Sequence, residues 1–194
     1  MFETLKLLDR ELLLYLNNLH SPLTDELMYN ISRVWVFFPL FGWWLYLVLR
    51  RYSWKKTLLM AAFMGLLVGL TDQSSNQVKH SVKRYRPSHN LEIMDKVHIL
   101  HEYRGGQYGF FSGHSANCFG IATLLFLLFS GHSFWFRSQF FLWAGITAYS
   151  RIYLGVHYPS DILVGFLAGL FFGYIVYRLL QLTFKKYFNE TVVV

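Results

Sequence analysis

The chain has 194 residues, of which 54% are hydrophobic, 20% aromatic and only 15% charged. Soluble domains carry about a quarter charged residues, so this composition argues against an ordinary soluble enzyme and for one membrane-embedded domain. The formal charge of +7 would suit a nucleic-acid binder, but the cations flank apolar runs, as at Arg50, Arg51, Lys55 and Lys56. That is the placement of membrane-flanking charges, and no nucleic-acid partner is expected. The single Cys118 excludes an internal disulfide and reads as a buried packing thiol.

The opening residues lack the basic, apolar and small-residue order of a secretory signal. Leu5, Leu8, Leu12, Tyr15 and Leu19 recur at helical spacing, with Asp9, Arg10, Asn17 and Asn18 elsewhere. This predicts an amphipathic helix lying on the bilayer surface, too short in its apolar run to cross. A first span is predicted over about residues 31–49, before Arg50 and Arg51. A second runs over about residues 57–80. It is apolar to Leu70 and polar from Thr71 to Gln77, yet meets no proline before Pro87, so one helix continues with its polar end inside a bundle. Further spans follow over about residues 115–129, 134–149 and 160–182, the last before Lys185 and Lys186. Gly165, Gly169 and Gly173 lay a smooth face along it for close helix packing. The long connection from Pro87 to Phe110 holds Gly105, Gly106 and Gly109 and is expected to bend or move.

The fold class is therefore all-α: a polytopic bundle of about five transmembrane helices plus an interfacial N-terminal helix. It forms a single domain over residues 1–194, with its chemistry within about residues 79–161. The sequence specifies no oligomeric state.

Three polar islands interrupt the apolar runs: Lys79 to Pro87, Phe111 to His114, and Ser150 to Asp161. The first ends span two and the second begins span three. Spans three and four return the chain to the third island, so all three meet on one membrane face. Charge at the ends of apolar spans points to function. The linkers on the opposite face are basic, which places the islands on the outer face.

The inventory suits a phosphate ester. Lys79 offers a point charge, while Arg86 and Arg151 offer planar forks. Ser112 can donate a hydroxyl, Gly113 lets a backbone N–H approach, and the helix start behind them favours an anion. His157 is the candidate nucleophile, attacking phosphorus to form a phosphohistidine. Asp161 is placed to hold its other ring nitrogen, although Pro159 between them leaves that contact to the turn geometry. His114 would protonate the leaving oxygen and then activate water.

These residues resemble the type 2 phosphatidic acid phosphatase superfamily of membrane lipid phosphatases. Its motifs are Lys-x6-Arg-Pro, Pro-Ser-Gly-His and Ser-Arg-x5-His-x3-Asp. Residues 79–87 and 150–161 match the first and third in full; residues 112–114 match the second, with Phe111 in place of its proline. The resemblance implies a phosphate cradle of Lys79, Arg86, Ser112, Gly113 and Arg151. It implies His114 as acid, His157 as nucleophile and Asp161 as its partner, with no metal or other cofactor. Its bacterial members act at the outer face of the inner membrane on undecaprenyl diphosphate, phosphatidylglycerol phosphate or lipid A phosphates, so the expected partners are a membrane lipid and the bilayer.

Lys83, Arg84, Lys96 and Arg104 are candidate head-group contacts. His98, His101 and Glu102 have a spacing that would suit a metal but read as a solvated loop. Two rival activities use the same residues: a phosphotransferase with another acceptor, and a non-enzymatic lipid-phosphate carrier.

Overall fold

A computed structural model describes residues 2–194. Among the described residues the regular structure is helical: α1 (Phe2–Asn17), α2 (Pro22–Ile31), α3 (Phe38–Arg51), α4 (Trp54–Val82), α5 (Gly113–Leu128), α6 (Phe134–Tyr153) and α7 (Pro159–Phe188). Short 3-10 turns lie at Val34–Phe37, Pro87–His89 and Met94–Lys96.

α5 is apolar on all sides and is the hub of the bundle. Ala116, Ala122 and Leu124 are fully buried, as expected of a helix hydrophobic all round. α4, α6 and α7 pack around it. The glycine stripe of α7 lies directly on its backbone. A Cβ at Gly165, Gly169 or Gly173 would come within 2.6–2.7 Å of the carbonyl oxygens of Ser112, Ala116 and Gly120. At that separation only glycine fits, and the two helices meet backbone to backbone. Beyond the stripe an aromatic cluster fills the bundle, with Trp44 edge-on to Phe140 and Trp143 at 4.9 and 5.6 Å.

α4 and α7, of 29 and 30 residues, are long and apolar enough to cross a membrane, and the bent pair α2–α3 makes a third span if counted as one. α5, with 16 residues, is only about 24 Å long at the helical rise. Helices occupy all five predicted spans, but length and composition alone establish two or three crossings among the described residues.

The first span departs from expectation. The chain is broken by an 80° bend between α2 and the segment from Val34 to Arg51. Pro39 sits in the first turn of α3, where it lacks an N–H and disfavours helix in the residue before it. α2 itself was not foreseen. Its signal was local: Ser21 accepts from Thr24 N, Thr24 Oγ1 accepts from Ser21 N, and Pro22 opens the helix.

α1 forms as predicted but ends at Asn17, short of Leu19. Leu5, Leu8, Leu12 and Tyr15 face outward and exposed, while Leu13 and Asn17 are buried against the protein. Its docked face carries Asp9, Arg10 and Asn17 beside Leu13. Arg10 pairs with Glu92. Asn17 holds the backbone of His98, donating to its carbonyl at 3.1 Å and accepting its N–H at 2.7 Å.

The 87–110 connection is more ordered than its glycines suggested. Arg86 N donates to Gln107 O and Gly109 N to Arg84 O, pinning its end beside its beginning. Ile93 and Val97 pack with Leu13, Ile152 and Tyr158. The C-terminal tail folds back across the far end of the bundle, where Val194 N donates to Leu128 O and Tyr52 Oη donates to Val193 O.

Candidate active site

All three islands meet at one end of the bundle. Ser112 N donates to Asp161 O at 3.0 Å, joining the second island to the third. Arg86 Nη1 lies 3.1 Å from His157 Nε2, joining the first to the third. A Cβ built on Gly113 would sit 3.6 Å from Lys79 Nζ, joining the first to the second.

The turn geometry that the sequence left open is resolved by how α7 starts. Pro159 occupies its first turn and Asp161 its third position. Asp161 Oδ2 reaches back to accept the Tyr158 N–H at 3.0 Å, satisfying one of the free donors at a helix start. The same oxygen lies 3.3 Å from His157 Nδ1. A proton on Nδ1 directed at this carboxylate leaves the Nε2 lone pair toward Arg86. Both side chains are buried, His157 at 1% and Asp161 at 0% exposure. Burial, with the charges of Arg86, Arg151 and Lys79, holds the His157 imidazole well below its ordinary value, so it is neutral near pH 7.

Ser112 caps α5. Its Oγ accepts the Ser115 N–H at 3.3 Å, which leaves its O–H free to donate. His114, one residue past Gly113, feels the charges of Arg151, His157, Arg86 and Lys79. Arg86 is fixed by two carbonyls: Nε donates to Tyr108 O and Nη1 to Val156 O, both at 3.2 Å. Arg151 is 2% exposed and donates from Nη2 to Tyr103 Oη at 2.8 Å. Its Nε is buried without a hydrogen-bond partner among the described residues. A buried, unsatisfied guanidinium N–H is costly and rare in a folded protein. Arg151 also lines a cavity of about 120 Å³, together with Tyr29, Ser32, Arg33, Tyr103 and His114. That space matches the share of a few waters, on the scale of one tetrahedral anion. The larger cavity, about 660 Å³, opens at the far end between Arg51, Lys56, Lys185 and Glu190, where Lys56 pairs with Glu190.

The head-group candidates separate. Lys83 ends α4 in a left-handed conformation (φ 50°) and is exposed. Arg104 is exposed, with Nη1 donating to Ser88 O at 3.0 Å. Arg84 corrects the expectation: it is turned inward, with Nη1 on Asp161 Oδ1 at 2.9 Å, Nη2 on Asp9 Oδ2 at 2.6 Å, and its guanidinium 3.9 Å over the Tyr158 ring. Two carboxylates and an aromatic face hold it more firmly than a solvated lipid surface would.

His98 and His101 point to α2, toward Asp25 and Glu26 at 3.1 and 3.0 Å, so they do not form a site with Glu102. The ligand atoms of His20, Asp25 and His98 lie within 4.8 Å of one another, but the two imidazoles stack in parallel at 3.7 Å. Rings in parallel planes cannot both aim an in-plane lone pair at one ion.

Sequence reasoning missed Tyr29, Ser32 and Arg33, because α2 itself was missed, and it missed Tyr103. It also took Gly109 for a point of flexibility. A Cβ there would meet Asp161 Oδ2 at 3.1 Å and His157 Nδ1 at 3.5 Å, so Gly109 allows the loop backbone to cover that pair.

Comparison with known proteins places this geometry in context. Residues 56–185 match the model of the PAP2 superfamily. A lipid A 4'-phosphatase of Bacteroides thetaiotaomicron is 37% identical over 179 residues, covering 91% of this chain and 79% of the relative. One from Porphyromonas gingivalis is 36% identical, covering 88% and 72%. The crystal structure of Aquifex aeolicus LpxE is similar with a TM-score of 0.67 at 30% identity, over 88% of this chain and 95% of that one. A Bacillus subtilis transmembrane PAP2-type phosphatidylglycerolphosphate phosphatase shares the fold at TM-score 0.66 and 22% identity, over 95% and 88%.

Proposed function

The chain belongs to the PAP2 superfamily and is an integral membrane protein, and from that premise we propose that it hydrolyses the phosphate of a membrane lipid through a phosphohistidine on His157. The observation that carries this reading is the buried His157–Asp161 pair set beside Arg86, with the charge of Arg151 acting on the same imidazole. The polar chemistry lies between residues 79 and 161 of a single domain.

In this reading a phosphate enters with its oxygens toward Lys79, Arg86, Arg151, the Ser112 hydroxyl and the N–H groups opening α5. These fixed donors stabilise charge on the equatorial oxygens of the transition state. Neutral His157 attacks phosphorus from Nε2, and the P–O bond to the lipid breaks. The phosphate anion offsets the surrounding cations and lets His114 carry a proton, which it gives to the leaving oxygen. Asp161 stabilises the cationic phosphoimidazole through Nδ1–H. His114, now neutral, takes a proton from water, which attacks phosphorus and releases phosphate from His157. The protein's own cations do the neutralising, so the reaction is proposed to need no metal.

The lipid A 4'-phosphatase relatives support a phosphorylated glycolipid of the lipid A type as substrate. The site is placed at the outer face of a bacterial inner membrane. Supporting that side, Arg51, Lys56 and Lys185 gather at the other end of the bundle, as cytoplasmic flanks do.

The test is phosphate release in detergent from lipid A, phosphatidylglycerol phosphate and undecaprenyl diphosphate. Lipid A is expected to react fastest, with activity retained in EDTA. His157→Ala is expected to lose at least about 10³-fold in kcat while staying folded. No release from any of the three would refute the reading, and full activity in His157→Ala would rule out the covalent route.

A further inference from the structure

The polar face of α1 reaches the catalytic pair through an unbroken chain of charge-assisted contacts. Asp9 Oδ1 accepts the Ser160 N–H at 2.9 Å, and Oδ2 accepts the Ser160 hydroxyl at 2.5 Å. Ser160 lies in the first turn of α7, where backbone N–H groups lack partners within the helix. Asp9 therefore anchors the turn that carries Asp161. Oδ2 also accepts from Arg84 Nη2 at 2.6 Å. The other arm of the same guanidinium donates to Asp161 Oδ1 at 2.9 Å and to Ser160 Oγ at 2.7 Å. Asp161 in turn faces His157 Nδ1.

Geometry makes this more than a surface ion pair. Asp161 is fully buried, and a buried carboxylate without a partner is strongly destabilising. Arg84 supplies that partner, and its planar fork can serve two carboxylates only in one orientation. Asp9 is the group that fixes this orientation from the side opposite Asp161. It lies on α1, outside the family match that begins at residue 56.

We propose that Asp9 is a positioning residue for the nucleophile, acting through Arg84 and Asp161 to hold the His157 ring in its attacking tautomer. The proposal rests on the reading of His157 as nucleophile, and it makes α1 part of the catalytic architecture. Asp9 touches no reacting atom, so its removal acts on the chemical step and leaves substrate binding in place.

The experiment is a cycle of Asp9→Asn, Arg84→Gln and the double variant in the full chain, assayed for phosphate release from lipid A, with Glu11→Gln as control. Glu11 is exposed on the same helix and its variant makes the same charge change. Asp9→Asn is expected to lower kcat about ten- to a hundredfold, the effect of a small misplacement at a reacting centre, with KM unchanged. In the Arg84→Gln background it should lower kcat much less than in the wild type, the remainder being Asp9's own bonds to Ser160. Full kcat in Asp9→Asn, a rise in KM alone, or multiplied losses in the double variant would each overturn the proposal. If Asp9→Asn does not fold, Arg84→Lys carries the same test, because an ammonium cannot fork between the two carboxylates. The ring nitrogen NMR signals of His157 read the coupling without substrate. Wild type should hold one Nδ1-protonated tautomer and Asp9→Asn should exchange between two; identical spectra would overturn the proposal even in a chain that hydrolysed no lipid phosphate.

Discussion

The site end and the middle of the bundle are built differently. At the site end several functional side chains are held by a polar bond to another segment: Asp161 by Arg84, Arg86 by Tyr108 and Val156, Arg151 by Tyr103. In the middle of the bundle the contacts are the glycine stripe of α7 on α5 and the ring cluster around Trp44, Phe140 and Trp143. Polar bonds are directional and set atomic positions. Close packing is individually weak per contact, largely non-directional, and collectively large. The site end should therefore govern rate, and the packed middle should govern stability.

Arg151→Lys would break this comparison most severely if it failed. It keeps the charge but loses the fork. kcat is expected to fall on the order of 10²–10³-fold, with the thermal unfolding midpoint in detergent nearly unchanged. A lowered midpoint with normal activity per folded molecule would contradict the division.

Gly169→Val probes the other side. Its Cβ would meet Ala116 O at 2.7 Å and Gly120 N at 2.8 Å, backbone atoms that cannot rotate away. Such overpacking costs about 1–3 kcal/mol and should lower the midpoint while folded protein keeps its kcat. A rate loss without a stability loss would show that the stripe sets the site.

The smallest expected effect sharpens the comparison through pH. His157 is held well below its ordinary value of 6.5. Below pH 6.5 the unfolded chain takes up a proton that the folded chain refuses. This contribution to stability is thus present above pH 6.5 and lost as pH falls toward the lower folded value. The loss is measurable as a midpoint that falls below pH 6.5 in the wild type and falls less in His157→Ala.

The sequence showed the long elements because apolar runs between basic flanks leave few alternatives. α4 extends to Val82 through its polar stretch, with Thr71 and Ser75 buried, as the missing proline implied. It did not show α2 or the bend before α3, since a ten-residue helix with a polar first turn carries little periodic signal. Asp9 read as a surface charge and Arg84 as a head-group contact because nothing local distinguishes a docked polar face from a solvated one.

By itself the sequence determined the helical membrane class, the three islands and their arrival at one end, because hydropathy and chain parity are properties of order along the chain. Only the tertiary structure decided which cations face the cavity and which stabilise Asp161, that Gly109 covers the His157–Asp161 pair, and that α1 turns Asp9 and Arg10 inward. Those outcomes depend on distances between segments as far apart as Asp9 and Ser160, and such distances are set by packing in three dimensions.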